Sequence, residues 1–324
     1  MLWLNKNRRN LSGRSAGLLA AVLMAAAAPT TVYAQTVPLN ADVALRPVTT
    51  GDIAAYKLAS TTQKSGGLTT VGVGQPAYLE MQINSAIKST DIAGVIWTLT
   101  YKPNGSQAVL EESPLGANVP VYEPSDRLVL QVAGRKLLRP DKPGMYIVSG
   151  TVTAGASGTA TVGQTIIAGT FTGRAACETC HSGGLAMVKS PTWSKTAHAS
   201  LFTEGINGVA SDHYSASCIS CHTLGYDTAA SAVNGGFDDV AKQVGWTFPT
   251  TMVKGNWETM PAQLQNVANI QCENCHGPGS QHVKSGGMSS RSRRRRPPAP
   301  APPAMTHRRI ILRTGNGTTP GTPS

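Results

Sequence analysis

Short runs of alternating or β-branched residues occupy the chain up to residue 172. Between positions 78 and 83 the odd positions are apolar and the even positions are more polar, as in a strand with one buried face. Turns that contain Gly and Pro separate the runs. The predicted strands cover residues 77–83, 94–101, 127–132, 145–152 and 165–171. Strands at this spacing predict an all-β fold, an antiparallel sandwich over residues 35–172.

The segments IAGVIWTLTYKPNGS and PDKPGMYIVSGTVT resemble the immunoglobulin-like (Ig-like) domains of bacterial secreted proteins. The resemblance implies an N-terminal Ig-like sandwich in which the strands of Trp97 and Tyr146 face each other across the core. Trp97 is expected in that core, because large aromatic side chains are mostly buried. Residues 35–172 contain no Cys and no His. This domain is therefore expected to carry no chemistry and to act as a spacer or docking module.

The pattern changes between residues 173 and 286, where the alternation typical of strands disappears. The runs 185–188 and 262–267 predict short helical turns, and no segment predicts a large apolar core. This part of the chain is expected to be a mostly irregular domain with short helices.

The N-terminus has the pattern of a secretory signal peptide. Four basic residues precede an apolar run at 18–28, and Pro29 and the small-x-small sequence 32–34 follow it. This run is shorter than the roughly 20 residues that span a bilayer. We predict a signal peptide at 1–34 and a periplasmic or extracellular protein of the bacterial envelope. After cleavage it would have no transmembrane segment, and any envelope association would be peripheral.

The net charge of +11 does not predict a nucleic-acid partner. The signal segment has four Lys or Arg, the stretch after 286 has eight Arg, and neither contains an acidic residue. Between 35 and 286 there are 16 basic and 17 acidic residues, a net charge of −1. Nucleic-acid binding requires a basic face on the folded domain, and the sequence predicts none.

Residues 287–324 form a Pro- and Arg-rich stretch whose composition predicts a disordered basic tail. Between 35 and 286 the chain uses 11 Lys and 5 Arg, whereas the tail uses only Arg. The change favours two interpretations, a solvated basic tail or a frameshifted or truncated gene.

All six cysteines lie in three C-x-x-C-H motifs, at 177–181, 218–222 and 272–276. C-x-x-C-H is the attachment signal for haem c, in which two thiols bind one porphyrin and the adjacent His ligates its iron. The sequence therefore predicts three haem c groups, which would fill the core that residues 173–286 lack. The predicted covalent anchors are Cys177, Cys180, Cys218, Cys221, Cys272 and Cys275. The predicted proximal iron ligands are His181, His222 and His276.

Zinc and disulfides are the alternatives for paired cysteines. Two C-x-x-C pairs can build one tetrahedral zinc site, but three pairs leave one over, and zinc does not require His after each pair. A redox-active C-x-x-C disulfide is usually found in a βαβ setting, which the sequence does not predict. The repeated His therefore favours haem c.

Three further histidines are candidates for the second axial position of each iron. These distal candidates are His198, His213 and His282. His282 lies six residues after His276, and His213 lies five before Cys218. Each would have to pass around a porphyrin edge to reach its nearest haem, so a neighbouring haem is the expected target. Methionine ligands are the alternative and would raise the potential; the candidates are Met187, Met252 and Met260.

The segments PTWSKTAHASLF, HYSASCISCHTLGYD and CENCHGPGSQHV resemble multihaem c-type cytochromes. CENCHGPGSQHV in particular resembles the family of the nitrifiers' tetrahaem cytochrome, the electron acceptor of hydroxylamine oxidoreductase. This resemblance covers residues 175–286 and implies that His198 and His282 are distal ligands. The chain has three motifs where that family has four or more, which leaves a native haem number above three open, and one extra residue separates Trp193 from His198.

Together these observations predict an exported electron carrier that transfers single electrons between redox protein partners at the cell envelope. One alternative is a multihaem oxidoreductase of small nitrogen or sulfur compounds, which would need an iron with an open position. Another is an envelope docking module that also carries haem.

Overall fold

A computed structural model of the chain describes residues 36–116 and 130–287. The predicted signal peptide and all but the first residue of the predicted tail lie outside the described residues, as do positions 127–129 of one predicted strand. The described residues from Val37 onward belong to one compact unit. They form a β part, up to residue 169, and a helical part that follows it.

Two four-stranded sheets and a small two-stranded sheet make up the described β part. The elements are β1 (Ala41–Leu45), β2 (Pro47–Val48), α1 (Thr50–Ala55), β3 (Ser65–Gly66), β4 (Thr70–Gly72), β5 (Ala77–Asn84), β6 (Ile92–Tyr101), β7 (Leu110–Glu111), β8 (Leu130–Leu138), β9 (Gly144–Ala154) and β10 (Thr159–Gly169), with 3₁₀ turns at Ser89–Asp91 and Gly155–Ser157. The strand orders are β1-β5-β8-β7, β4-β10-β9-β6 and β2-β3. Neighbouring strands are antiparallel except β4 and β10, which are parallel. The predicted sheet-rich N-terminal part with antiparallel pairing is thus confirmed.

Alternation along β5 decides which side chains enter the main core. Leu79, Met81 and Ile83 point into an apolar cluster to which both four-stranded sheets contribute. Tyr78 belongs instead to a second cluster, which residues near α1 cover. The prediction of one exposed face on this strand is therefore wrong, because side chains on both faces are buried.

Trp97 and Tyr146 lie on neighbouring strands of one sheet. β6 pairs with β9 so that Trp97 lies opposite Gly150. The expectation that these strands face each other across the core is wrong. Trp97 is half-buried and packs against the core. Gly150 permits this packing, since a Cβ there would lie 3.3 Å from the indole and 2.5 Å from Met81 Cε.

Short helices and turns form the described helical part. They are α2 (Arg174–His181), α3 (Ser190–Trp193), α4 (Leu201–Ile206), α5 (Ile219–His222), α6 (Phe237–Val244), α7 (Ala262–Gln265), α8 (Cys272–His276) and α9 (Ser280–Lys284), with 3₁₀ turns at Ala197–Ala199 and Ala216–Cys218. The helical turn predicted at 262–267 is confirmed by α7, whereas 185–188 form no helix.

The helical part has an apolar core of its own. Ten buried residues form it, and Phe202 lies among aromatic rings, with Phe237 at 5.3 Å and Trp257 at 6.4 Å between ring centres. The expectation that this segment lacks an apolar core is wrong, because residues dispersed along some 70 positions converge on it. Among the described residues, no helix has the length and hydropathy needed to span a membrane.

The β part and the helical part pack directly on each other. The Phe171 N–H donates to the Asn234 carbonyl at 2.7 Å. Gly74 has a φ of +77°, and a Cβ there would lie 1.6 Å from the Ser231 carbonyl oxygen. Only glycine fits such an approach at positive φ. These contacts hold the ends of β4 and β10 against the helical part.

Candidate functional site

Each C-x-x-C-H motif lies on a short helical turn that ends at its histidine. The first is in α2, the second in the 3₁₀ turn Ala216–Cys218 and α5, and the third is α8. Residues i, i+3 and i+4 of a helix share one face. The local structure therefore presents two thiols and one imidazole of each motif on the same side of a helix.

Glu273, inside the third motif, holds the chain that enters the first. Its carboxylate accepts hydrogen bonds from the backbone N–H groups of Thr172 (3.1 Å) and Gly173 (2.7 Å). The Thr172 hydroxyl donates to it at 3.2 Å, and so does the Gly279 N–H. Gly173 immediately precedes α2. The third motif therefore fixes where the first motif's helix begins.

Asn266 adds a second connection to the start of α2. Its side-chain oxygen accepts from the Ala175 N–H at 2.9 Å, and its amide donates to the Thr172 carbonyl at 3.0 Å. Gly173 has a φ of +78°, and a Cβ there would lie 2.2 Å from the Asn266 amide nitrogen. Glycine is therefore required at this entry to the motif.

The second motif is joined to the same segment. Thr223, directly after His222, forms an isolated antiparallel bridge with Ala268. The Asn274 amide donates to the Thr223 carbonyl at 2.9 Å. Residues 266–274, which we call the linking segment, therefore contact the flanks of both other motifs.

The six cysteines are all described and none forms a disulfide. The thiols of Cys177 and Cys272, the first cysteines of the first and third motifs, interact with each other. This interaction lowers the pKa of the Cys272 thiol and, with burial, raises that of the Cys177 thiol. The anchoring groups of two motifs are thus immediate neighbours.

His181 is oriented as a metal-binding histidine usually is. Its Nδ1 lies 3.0 Å from the Met187 carbonyl oxygen. A carbonyl only accepts, so Nδ1 carries the proton and the Nε2 lone pair is free for a metal ion. A backbone carbonyl is a frequent partner for the second nitrogen of a ligating histidine.

His282 lies beside His181, although 101 positions separate them in the sequence. Their ring centres are 6.4 Å apart and the ring planes differ by 25°. Imidazole nitrogens bind metal ions at about 2 Å, so a metal ion between two imidazoles separates their ring centres by about 6 Å. The ring centres of this stacked pair are therefore about as far apart as those of two imidazoles on one metal ion, and the rings would have to turn for both Nε2 atoms to face such an ion.

His222, the histidine of the second motif, is less exposed than the nearby His213. Its ring stacks on Tyr214 at 5.7 Å, and burial lowers its pKa. Its Nδ1 and the Tyr214 hydroxyl are buried without a hydrogen-bond partner among the described residues. A lowered pKa keeps the imidazole neutral, which is the form that binds metal ions.

The remaining candidate ligands are more exposed. His198 lies in the 3₁₀ turn Ala197–Ala199, and its carbonyl accepts from the Ile270 N–H at 3.0 Å, next to the third motif. His276 is exposed, and His213 has 91% of its side chain exposed and contacts Asp212 at 3.5 Å. Among residues 36–116 and 130–287, His181 and His282 are the one pair of histidine rings in contact.

The three methionine candidates occupy different surroundings. Met260 is buried in the apolar core of the helical part, and Met252 packs against that core. Met187 is 73% exposed.

The described side chains fit haem c at the first motif. Two thiols and an oriented imidazole share one helix, and a second imidazole lies at ligand spacing. Exposed apolar side chains adjoin both histidines in the chain, namely Leu185, Met187, Val188 and Val283. Such an apolar surface is what a macrocycle would cover.

The described part of the chain contains no group of three or more His, Cys, Asp or Glu side chains that could hold a metal ion. A haem iron takes only two side chains as axial ligands, so the predicted haem sites do not require a group of three.

Sequence reasoning missed the residues that bring the motifs together. Glu273 and Asn266 carry no cysteine or histidine signature, and their partners lie about 100 positions away. The one sequence signal was for Glu273, an acidic residue at a variable position of the third C-x-x-C-H motif. No protein-family model and no curated protein matches the chain, so the resemblance to multihaem cytochromes remains a prediction.

Proposed function

We propose that this protein is an exported multihaem c-type cytochrome that carries single electrons between redox protein partners at the cell envelope. The observation that carries the proposal is the pair of His181 and His282. One ring has its Nδ1 committed to a carbonyl, and the other lies 6.4 Å away. Both belong to segments that carry C-x-x-C-H motifs, and the thiols needed for attachment are free.

In this proposal each motif anchors one haem through its two cysteines. The anchors are Cys177, Cys180, Cys218, Cys221, Cys272 and Cys275, and the proximal ligands are His181, His222 and His276. A bound haem supplies an iron that is reversibly reduced by one electron. The chain's own residues set the potential through ligand identity, burial and nearby charge.

We assign His282 as the distal ligand opposite His181. It is separated from its own motif by the turn 277–279, which Glu273 holds through the Gly279 N–H. The assignment agrees with the expectation that His282 serves a neighbouring haem. His198 and His213 remain the candidates for the other two irons, and redox partners would approach where the motifs are exposed, as at Cys275 and His276.

We further propose that the β part is an Ig-like sandwich. Its two four-stranded sheets share one core. The Tyr146 hydroxyl donates to the Lys142 carbonyl at 2.9 Å, four residues upstream, which resembles the tyrosine corner of such folds. Because Gly74 packs on Ser231 without space for a side chain, this part would serve as a fixed base for the haem-bearing part.

The direct test is the intact mass of the mature protein, combined with electron paramagnetic resonance of the oxidised form. We expect a mass increase of three haems, with all irons low-spin. A purified envelope protein that carries no covalent haem when produced with a functional maturation system would contradict the proposal.

A second candidate function is the reduction or oxidation of a small nitrogen or sulfur compound. The observation that favours it is the exposure of His213, whose side chain is 91% exposed and lies 3.5 Å from its neighbour Asp212. An iron without a distal histidine would have an open position for a substrate. A high-spin ferric signal from one of three haems would support this function, and its absence would favour the electron carrier.

A further inference from the structure

Glu273 differs from the other buried charged side chains. The buried charged residues of the described chain are Glu80, Arg135 and Glu273. Glu80 pairs with Arg135 at 2.8 Å and lies 3.8 Å from Arg46. Glu273 is only 3% exposed and forms no ion pair with any described residue. A buried carboxylate without a cation is costly, so some other feature must stabilise it.

Backbone hydrogen bonds provide that stabilisation. Three N–H groups and one hydroxyl donate to the two oxygens of Glu273, from Thr172, Gly173 and Gly279. The carboxylate accepts from every partner and donates to none, as the ionised form does. Hydrogen bonds from neutral groups stabilise the negative charge without neutralising it. The side chain therefore holds a net charge in a buried position.

This charge is tied to the backbone at the start of the first motif's helix and belongs to the third motif. Glu273 follows Cys272 directly, and its partner Gly173 precedes the helix that carries Cys177. The neighbouring Cys272 thiol and burial are the larger causes that raise the pKa of Cys177, and the charge of Glu273 adds to them. The field of the carboxylate thus reaches the first motif as well as its own.

We propose that Glu273 is a positioning residue that lowers the reduction potentials of the haems on the first and third motifs. The inference rests on the proposed function, since it presumes haem at both motifs. A nearby negative charge stabilises the oxidised iron, which is one unit more positive than the reduced iron. Burial keeps this charge from being screened by salt.

The expected effect is about tenfold in the reduction equilibrium constant, the size for a charge acting over roughly 10 Å at an effective dielectric constant of about 20. For one electron, tenfold corresponds to about 59 mV. The two haems on the first and third motifs should change more than the haem on the second.

The experiment is a spectroscopic redox titration of the purified holoprotein and its variants. Glu273→Gln should raise two of three midpoint potentials, whereas Glu273→Asp keeps the charge and should leave them near the wild-type values. Glu80→Gln is the matched control, because Glu80 is equally buried but its charged partners all lie in the β part. Unchanged potentials in Glu273→Gln, or equal shifts in Glu80→Gln, would overturn the inference.

Thr172→Val provides a test if Glu273→Gln does not fold. It removes the hydroxyl that donates to Glu273 at 3.2 Å and keeps the charge, so the same two potentials should fall. A rise or no change would contradict the inference. Haem content measured on the same samples separates the outcomes: absence of haem from the wild type refutes the proposed function, and full loading without the shifts refutes only the role of Glu273.

Discussion

Replacing His282 by Ala should open one iron of the three to external ligands. His282 is the described ring nearest in space to His181, with ring centres 6.4 Å apart. Two metal–imidazole bonds of about 2 Å would give a spacing of this size. Without the second ring, the iron proposed to bind His181 would lack its sixth ligand and should become high-spin.

Among the described residues, the two that adjoin this pair in the chain, Met187 and Val283, are poor substitutes for His282. Met187 adjoins His181, but its backbone carbonyl contacts Nδ1, the nitrogen that faces away from a metal ion bound at Nε2. The neighbouring side chain Val283 cannot ligate iron. We therefore expect His282→Ala to convert only one of the three proposed irons to the high-spin form.

Carbon monoxide binding to the reduced protein measures this number directly. His282→Ala should bind one more carbon monoxide per chain than the wild type, and the oxidised variant should gain a high-spin signal from one iron. His282→Met should remain low-spin with a raised potential. Gln281→Ala, which alters the preceding residue of α9, is the control and should match the wild type. An equal carbon monoxide stoichiometry in His282→Ala and the wild type would refute the assignment.

Three further predictions concern stability. Gly74→Ala should lower the free energy of unfolding by about 2–4 kcal/mol, because its Cβ would lie 1.6 Å from the Ser231 carbonyl oxygen; a urea midpoint equal to the wild type would contradict this. Phe202→Ala should cost about 3–5 kcal/mol, since the ring is fully buried among aromatic side chains, and urea unfolding measures it. The hydrogen bond from the Thr49 hydroxyl is the main cause that lowers the pKa of Asp52 to about 2. The ionised Asp52 therefore stabilises the fold in full above pH about 4, and this stabilisation is lost as the pH falls towards 2. Asp52→Asn should remove this part of the pH dependence of unfolding; an unchanged acid limb would disprove it.

The sequence predicted the long strands because local alternation determines them. The runs at 77–83, 94–101, 145–152 and 165–171 coincide with β5, β6, β9 and β10. It did not predict β4, whose three residues carry too little pattern, or its parallel pairing with β10. The pairing of β6 with β9 was also missed, because strand order depends on contacts between distant segments.

The sequence predicted the chemical groups of the site but not their arrangement. A C-x-x-C-H motif fixes its own spacing within one helical turn, so its local geometry follows from five residues. That His181 and His282 lie next to each other depends on the path of the 100 residues between them. Sequence distance indicated that His282 would serve a haem other than its own, but it could not indicate which.

The polar contacts of the linking segment explain why the three motifs should behave as one assembly. α2 begins where Glu273 and Asn266 bind backbone groups at 172–175, and Thr223 after the second motif pairs with Ala268. A change in the linking segment should therefore displace both the first and the second motif. Apolar packing alone tolerates small shifts, whereas a buried carboxylate loses stabilisation as soon as its donors move. The proposed electron carrier would require fixed distances between its haems, and directional hydrogen bonds to a buried charge are a means of fixing them.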